Sequence, residues 1–247
     1  MNDVLSIDES VPLVILFGPP CCGKTMTLMS LSMYLMSEGY HINSFEETFY
    51  QLYEQLQGHV YRNVRPNNFM QVRILDRFGR GICHILKLPG DICFNPYNEH
   101  YEFPKYLCDI FNNSKLHKIF VFFTEPFHDD LEMRYQYINT LQYLLKRIQG
   151  KCKFVILYNK IDQTPFVLSP GRVDTAAAKI DLSNNYPGIL VSFKNKNIIT
   201  RFWKPYMCDI IPYQTGEYYE NKYHHSSAAY NKKLWKLLLQ YVRDLKV

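Results

Sequence analysis

The chain has 247 residues, of which 47% are hydrophobic and 21% are charged, a composition that suits one α/β domain with a substantial core. Its formal net charge of +5 is mildly basic, but lysine and arginine are scattered, so no nucleic-acid surface is indicated. Acidic residues near the N-terminus argue against a signal peptide, and no apolar run is long enough to cross a membrane. We therefore expect a single cytoplasmic domain over residues 1–247.

The first predicted strand, residues 11–17, runs into a glycine-rich loop and then into a helix predicted from Thr25 to Ser37. The loop fits the pattern G-x-x-x-x-G-K-[ST], in which backbone N–H groups and the helix N-terminus surround phosphates. We expect Lys24 to reach the β- and γ-phosphates of a nucleotide and Thr25 to offer a hydroxyl to Mg²⁺. The predicted nucleotide-binding residues of this loop are Gly18, Cys21, Cys22, Gly23, Lys24, Thr25 and Met26.

Seven cysteines, an odd number without C-x-x-C spacing, argue against disulfides and zinc. Cys21 and Cys22 stand apart because they precede Lys24 in the loop. Such thiols either have a lowered pKa and oxidise easily or are merely tolerated there.

The middle of the chain predicts alternating strands and helices. An extra helix is expected at residues 45–57, and a β-hairpin is expected from strands at 69–75 and 81–88. Helical patterns at residues 106–111 and 131–148 enclose an unbroken apolar strand at 119–124. This alternation predicts a mostly parallel sheet with helices on both faces.

A further buried strand, residues 153–158, runs into Asn159-Lys160-Ile161-Asp162, the pattern N-K-x-D. The Asp162 carboxylate can accept hydrogen bonds from the guanine N1–H and N2 amino groups, which adenine lacks. The Lys160 stem would lie along the base, and Asn159 would tie this loop to the P-loop. The predicted ligands are therefore GTP and GDP.

An irregular insertion is expected at residues 163–207, with a short helix at 176–180, before a strand at 208–213 and a closing helix at 228–245. Two segments compete as the last loop that contacts the base. Ser192-Phe193-Lys194 follows a short apolar run, whereas Gln214-Thr215-Gly216 follows the better strand. We favour Gln214 and Thr215, because open α/β sheets place ligands at the carboxyl ends of strands.

These motifs resemble the translation-factor-related class of P-loop GTPases, which includes the Ras-like small GTPases. The resemblance rests on Gly18 to Thr25, Leu88-Pro89-Gly90-Asp91 and Asn159 to Asp162, and it spans nearly the whole length. It implies a three-layer α/β/α fold whose mostly parallel sheet carries one antiparallel edge hairpin. The Leu-Pro-Gly and Gln-Thr-Gly runs look most similar to divergent bacterial branches, including polarity-switch GTPases.

The chain departs from the class at its catalytic end. The class usually carries D-x-x-G, whose Asp holds Mg²⁺ through a water and whose Gly senses the γ-phosphate. Here Lys87 stands in place of that Asp, which weakens Mg²⁺ binding or moves the ion to another ligand, while Gly90 is retained. Asp91 replaces the water-orienting glutamine, and it either positions water beside an offsetting cation or caps the next turn. The predicted catalytic residues are Lys24, Gly90 and Asp91.

The threonine of the first switch has no clear counterpart, since Thr48 falls inside the extra helix and Asn67-Asn68 occupy the loop. Five arginines lie in or near this region: Arg62, Arg65, Arg73, Arg77 and Arg80. One of them could act as an arginine finger in cis, but we favour the alternative that all five are surface charges. The implied function is a slow GTPase that switches a protein partner. The alternative is a non-hydrolysing interaction module stabilised by GTP or GDP.

Overall fold

The computed structural model describes residues 7–44, 46–57, 69–94, 103–126, 131–219, 222–225 and 228–246. Its strands are β1 (Leu13–Phe17), β2 (His41–Ser44), β3 (Met70–Leu75), β4 (Gly81–Lys87), β5 (Lys118–Thr124), β6 (Cys152–Tyr158), β7 (Val167–Ser169), β8 (Arg172–Val173), β9 (Cys208–Pro212), β10 (Gly216–Tyr219) and β11 (Lys222–His225). Its α-helices are α1 (Lys24–Ser37), α2 (Glu47–Gln57), α3 (Gly90–Cys93), α4 (Lys105–Asn112), α5 (Leu131–Arg147), α6 (Thr175–Asn185), α7 (Ile189–Ser192) and α8 (Ala228–Leu245). Short 3₁₀ helices lie at Ile161–Gln163 and Thr200–Phe202.

Seven strands form one sheet in the order β2-β3-β4-β1-β5-β6-β9. The strands from β4 to β9 in this order pair in parallel, whereas β2 and β3 pair antiparallel at one edge. Every residue of β1 and β5 is buried, as expected for central strands covered by helices on both faces. The fold is therefore the predicted three-layer α/β/α sandwich, and the hairpin of β3 and β4 is confirmed.

Strand β2 is not predicted from the sequence, so the second predicted strand, residues 69–75, is the third strand in the structure. The segment His41–Ser44 is short and polar, and only Ile42 in it is buried. Its edge position explains the weak pattern, because an edge strand needs few apolar residues. The extra helix expected at 45–57 is present as α2, which lies between β2 and β3 along the chain.

The insertion at 163–207 has more regular structure than expected. It contains the β7–β8 hairpin, and α6 runs from Thr175 to Asn185 instead of ending at Ile180. Asp174 begins this helix, since its side chain accepts hydrogen bonds from the backbone N–H groups of Ala176 and Ala177 at 3.1 and 3.0 Å. This N-cap fixes the start of α6, which the short apolar pattern of the sequence does not indicate.

The closing helix α8 is joined to the P-loop helix α1 by a buried hydrogen bond from Asn231 Nδ2 to Ser30 Oγ, 2.9 Å long. The Tyr213 hydroxyl donates to Asn231 Oδ1, so the segment that follows β9 is fixed to the same pair of helices. Buried polar groups satisfied in this way specify one arrangement of neighbouring elements. These hydrogen bonds fix the position of the loop after β9 relative to the loop before α1.

The fully buried side chain of Lys118 gives a test of the fold. Its ammonium group donates to the backbone oxygens of Asn113, Leu116 and Gln149 at 2.5, 2.9 and 2.9 Å. Lys118→Met will leave these oxygens without their charged donor and will lower the free energy of unfolding by about 3 kcal/mol. Urea denaturation measures this loss. Lys115→Met is the matched control, because Lys115 is exposed on the same segment and its loss will change the midpoint little.

Candidate functional site

The loop between β1 and α1 is closely packed, and neither Gly18 and Gly23 in it nor the neighbouring Gly90 has room for a side chain. A Cβ atom at Gly18 would lie 2.7 Å from Phe123 Cβ, and one at Gly90 would lie 2.3 Å from Pro20 N. Gly23 has a φ of +92°, and a Cβ there would lie 2.3 Å from Asn159 Nδ2. Such close packing requires glycine and keeps the loop amides together as a cradle.

Lys24 begins α1, and its side chain folds back over the loop. Its ammonium group donates to the backbone oxygens of Gly18 and Pro19 at 2.7 and 2.5 Å, and it lies 3.6 Å from Cys22 Sγ. Carbonyl dipoles satisfy its hydrogen bonds but do not neutralise its charge, so the buried amine favours an anion nearby. Thr25 and Met26 follow in the first turn, and both are half-buried.

A second amine lies at this end of the sheet. Lys87 is the last residue of β4, pairs in register with Leu16 of β1 and is buried. Burial and then the charge of Lys24 lower the pKa of Lys87 to about 8, while Asp91 acts in the opposite direction. Asp91 itself is exposed in the first turn of α3. Lys87 therefore places a cation close to the loop, at the position where the class that this sequence resembles carries an aspartate.

Of the two alternatives for these thiols, a lowered pKa does not hold for Cys22. Its side chain is fully buried, and burial raises the pKa more than the charge of Lys24 lowers it. Cys21 is exposed instead and has a φ of 60°, a conformation that residues other than glycine adopt infrequently. Cys22 is thus a small packing residue under the cradle.

Asn159 links the N-K-x-D loop to the P-loop. Its Nδ2 donates to the backbone oxygen of Cys22 at 3.0 Å, and its backbone N–H donates to Thr124 at 2.8 Å. Its Oδ1 atom is buried and has no hydrogen-bond partner among the described residues. The amide of Asn159 therefore fixes the N-K-x-D loop against the P-loop.

Ile161 and Asp162 of the N-K-x-D motif lie on the short 3₁₀ helix Ile161–Gln163, and Lys160 directly precedes it. Lys160 has a left-handed φ of 56°, and its ammonium group pairs with the buried Glu125 carboxylate. The backbone N–H of Ile161 donates to Tyr213 at 3.1 Å, which fixes the loop to the end of β9. Asp162 follows, half-buried. The ion pair with Glu125 is a feature that the motif alone does not predict.

The structure separates the two candidates for the last loop. The Thr215 methyl group lies 4.0 Å from the point where a Cβ on Gly23 would be, so Thr215 borders the cradle, and its neighbour Gln214 is half-buried. Ser192 instead ends helix α7 and donates to the Gly188 carbonyl, and Phe193 is buried against aromatic rings of β5 and β6. Residues 192–194 therefore do not follow a strand. The β10–β11 hairpin after Thr215 is not predicted by the sequence analysis.

The switch candidates are only partly visible. Asn67, Asn68, Arg62 and Arg65 lie outside the described residues. The other three arginines are engaged away from the cradle: Arg73 pairs with Asp8 at 3.2 Å, Arg80 pairs with Asp76 at 2.8 Å, and Arg77 and Arg80 both lie over the Phe78 ring. Thr48 is half-buried in α2. The arrangement of Arg73, Arg77 and Arg80 favours the surface-charge interpretation.

No protein-family model and no curated protein matches the chain. Among solved structures it is similar to a signal recognition particle receptor SRβ–GTP/SRX complex from Chaetomium thermophilum, with 13% identity, 93% of this chain and 98% of that chain covered and a TM-score of 0.50. A putative nucleolar GTP-binding protein 1 from Plasmodium falciparum has 16% identity, coverage of 97% and 91%, and a TM-score of 0.46. A small COPII coat GTPase SAR1 from Encephalitozoon cuniculi in complex with GDP has 15% identity, coverage of 94% and 82%, and a TM-score of 0.46.

The strand order, the loop after β1 and the likeness to the first of these structures define the fold of a P-loop GTPase. This fold agrees with the resemblance to the translation-factor-related, Ras-like class. The placement of the chain in a bacterial branch stays a prediction. In the described part of the chain, no helix is long and apolar enough to cross a membrane.

Proposed function

We propose that this site binds GTP and GDP and that the protein is a slow GTPase that switches a protein partner. The observation that carries the proposal is the buried hydrogen bond from Asn159 to the Cys22 backbone oxygen, which joins the N-K-x-D loop to the P-loop. Asp162 reads the guanine edge, and Gln214 and Thr215 border the base from the loop after β9. The Lys160 stem lies along the base.

The phosphates occupy the cradle of Gly18 to Thr25. Lys24 exchanges its carbonyl partners for phosphate oxygens, because a charged acceptor binds an ammonium group more strongly than a carbonyl does. Lys87 adds a second positive charge from the end of β4. Thr25 supplies the protein oxygen to Mg²⁺, which neutralises phosphate charge when bound. Among the described residues, no cluster of three carboxylate, histidine or cysteine side chains offers a second metal site.

Hydrolysis is slow because the groups around the attacking water are weak. Asp91 is the nearest counterpart of the water-orienting glutamine, and Lys87 offsets its charge beside the γ-phosphate. Gly90 packs against Pro19 and Pro20 of the P-loop, and its backbone N–H would donate to the γ-phosphate. Ordering of this segment by GTP and its release by hydrolysis would change which cytoplasmic partner binds.

Isothermal titration with GTP, GDP and ATP, each with and without Mg²⁺, tests the proposal. We expect binding of both guanine nucleotides and slow release of phosphate from GTP. Binding without turnover would favour the alternative of a nucleotide-stabilised interaction module. A preference for ATP, or no binding of any guanine nucleotide, contradicts both.

Asp91→Ala separates the switch from the module. If Asp91 orients water, single-turnover phosphate release will slow by about 100-fold while GTP affinity stays within about twofold. Asp109→Ala changes an acidic residue of α4 outside the site and serves as control. Equal turnover in the Asp91 variant would make Asp91 a structural residue of α3.

Lys87→Asp restores the carboxylate of the resembled class. The change removes a positive charge near the phosphates and offers an anchor for a metal-bound water, so GTP binding will become dependent on Mg²⁺. We expect the ratio of the Kd values in EDTA and in Mg²⁺ to rise by at least about tenfold. Lys87→Met, which removes the charge without adding a carboxylate, is the control. An unchanged ratio in the Asp variant contradicts this role of Lys87.

A further inference from the structure

An apolar loop, residues 194–207, connects α7 to β9 and is exposed. Phe202 and Trp203, with 79% and 74% of their surface accessible, are the most exposed large hydrophobic side chains in the described part of the chain. Ile198, Ile199 and Met207 of the same loop are 67%, 70% and 51% exposed. Apolar side chains clustered this closely in sequence and left in water mark an interaction surface.

The loop is preformed. The buried Asn195 closes its base, because its Nδ2 donates to Thr200 Oγ1 and to the Lys204 carbonyl at 2.9 Å each and its backbone N–H donates to Pro205 at 2.8 Å. The Met207 N–H donates to the Phe193 carbonyl at 2.7 Å. A partner therefore meets the apolar side chains already held outward, without having to order the backbone first.

The charge of the loop is of one sign. From residue 182 to residue 208 the chain contains lysine and arginine but no aspartate or glutamate. The cations are all exposed and lie among the apolar residues of the loop; they are Lys194, Lys196, Arg201 and Lys204. The partner must therefore present negative charge together with an apolar layer.

We infer that the 194–207 loop docks on the surface of a membrane that contains anionic lipids. At a bilayer interface aromatic rings sit at the level of the headgroups, and lysine and arginine pair with acidic lipids. Phe202 and Trp203 would enter the interface while Arg201 and Lys204 contact headgroups. A nucleic acid matches the charge but offers no apolar layer for Ile198 and Ile199.

The loop lies away from the nucleotide site. It leads into Cys208, the first residue of β9, and so stands at the amino ends of the parallel strands. The P-loop and the N-K-x-D loop follow the carboxyl ends of β1 and β6. Docking would leave the cradle open, and the inference does not depend on which nucleotide binds there.

Tryptophan fluorescence of the full chain provides the test. The sequence has two tryptophans, Trp203 in the loop and the buried Trp235 in α8, so Trp235→Phe isolates the loop signal. Vesicles of phosphatidylcholine with phosphatidylserine will shift the Trp203 emission to the blue, and the protein will sediment with them. Vesicles of phosphatidylcholine alone will bind much less, since each cation near an anionic surface contributes about fivefold in partitioning.

Variants assign the binding to the loop. Phe202→Ser in the intact chain will lower vesicle partitioning by at least about tenfold, and Arg201→Gln will lower it by about fivefold on anionic vesicles only. Leu131→Ser is the matched control, because Leu131 is also 63% exposed but begins α5, which follows the carboxyl end of β5 at the opposite end of the sheet. The control will bind like the unaltered protein.

Three results would overturn the inference. The first is no sedimentation of the unaltered protein with either vesicle, and the second is equal sedimentation of Phe202→Ser. The third is a Trp203 shift with an RNA oligomer or an acidic peptide but not with vesicles, which would assign the loop to another class of partner. GTP binding can be measured on the same samples, so failure here is distinguishable from failure of the nucleotide site.

Discussion

Asp162→Asn will change the preferred ligand from guanosine to xanthosine nucleotides. The carboxylate accepts two hydrogen bonds from guanine, and the amide that replaces it offers a donor where guanine also has one. Xanthine carries an acceptor at that position and pairs with the amide. Because a site built around hydrogen bonds rejects a mismatched partner strongly, GTP affinity will fall by about 1,000-fold and xanthosine triphosphate will bind more tightly than GTP.

Calorimetry with both nucleotides measures this exchange of preference. Asp174→Asn is the matched control: the same chemical change is made at the N-cap of α6, where asparagine caps as well as aspartate. The control will keep its GTP affinity and its stability. If Asp162→Asn also keeps its GTP affinity, the N-K-x-D loop does not read the base.

The elements around the cradle could be predicted because each has a local signal. Buried parallel strands appear as unbroken apolar runs, as in Ile119 to Thr124, and the P-loop needs glycine where the structure leaves no space for a Cβ. The hairpin of β3 and β4 follows from two apolar runs around Gly79, whose φ is +77°. These features depend on residues within one element or one turn.

The features that were missed depend on contacts between distant residues. The edge strand β2 is recognisable only by its pairing with β3, since three of its four residues are polar. The raised pKa of Cys22 follows from burial beneath the cradle, which outweighs the neighbouring Lys24 that the sequence makes visible. The ion pair of Lys160 with Glu125 joins the ends of two strands that are adjacent only after folding. Sequence spacing places residues along the chain, whereas these effects are set by tertiary neighbours.

Lys24→Ala will remove most of the affinity that depends on phosphate. Its ammonium group is buried over the loop and donates to the Gly18 and Pro19 carbonyls and to Cys22 Sγ, so the phosphates gain a charge already positioned for them. Truncating one partner of a buried charge pair costs enough to lower the affinity for GTP and GDP by at least about 100-fold. Affinity for GMP will change far less, because its single phosphate does not reach the position of the β- and γ-phosphates.

The ratio of the GDP and GMP affinities therefore isolates the role of Lys24 from any general damage to the site. Lys153→Ala is the control, since Lys153 pairs with Asp244 at 2.8 Å on the surface and its loss will leave both affinities unchanged. Melting temperatures without nucleotide check that both variants fold. A Lys24 variant that keeps the GDP to GMP ratio of the unaltered protein would refute the assignment of Gly18 to Thr25 as the phosphate cradle, because the amine is the group through which that loop discriminates the longer polyphosphate.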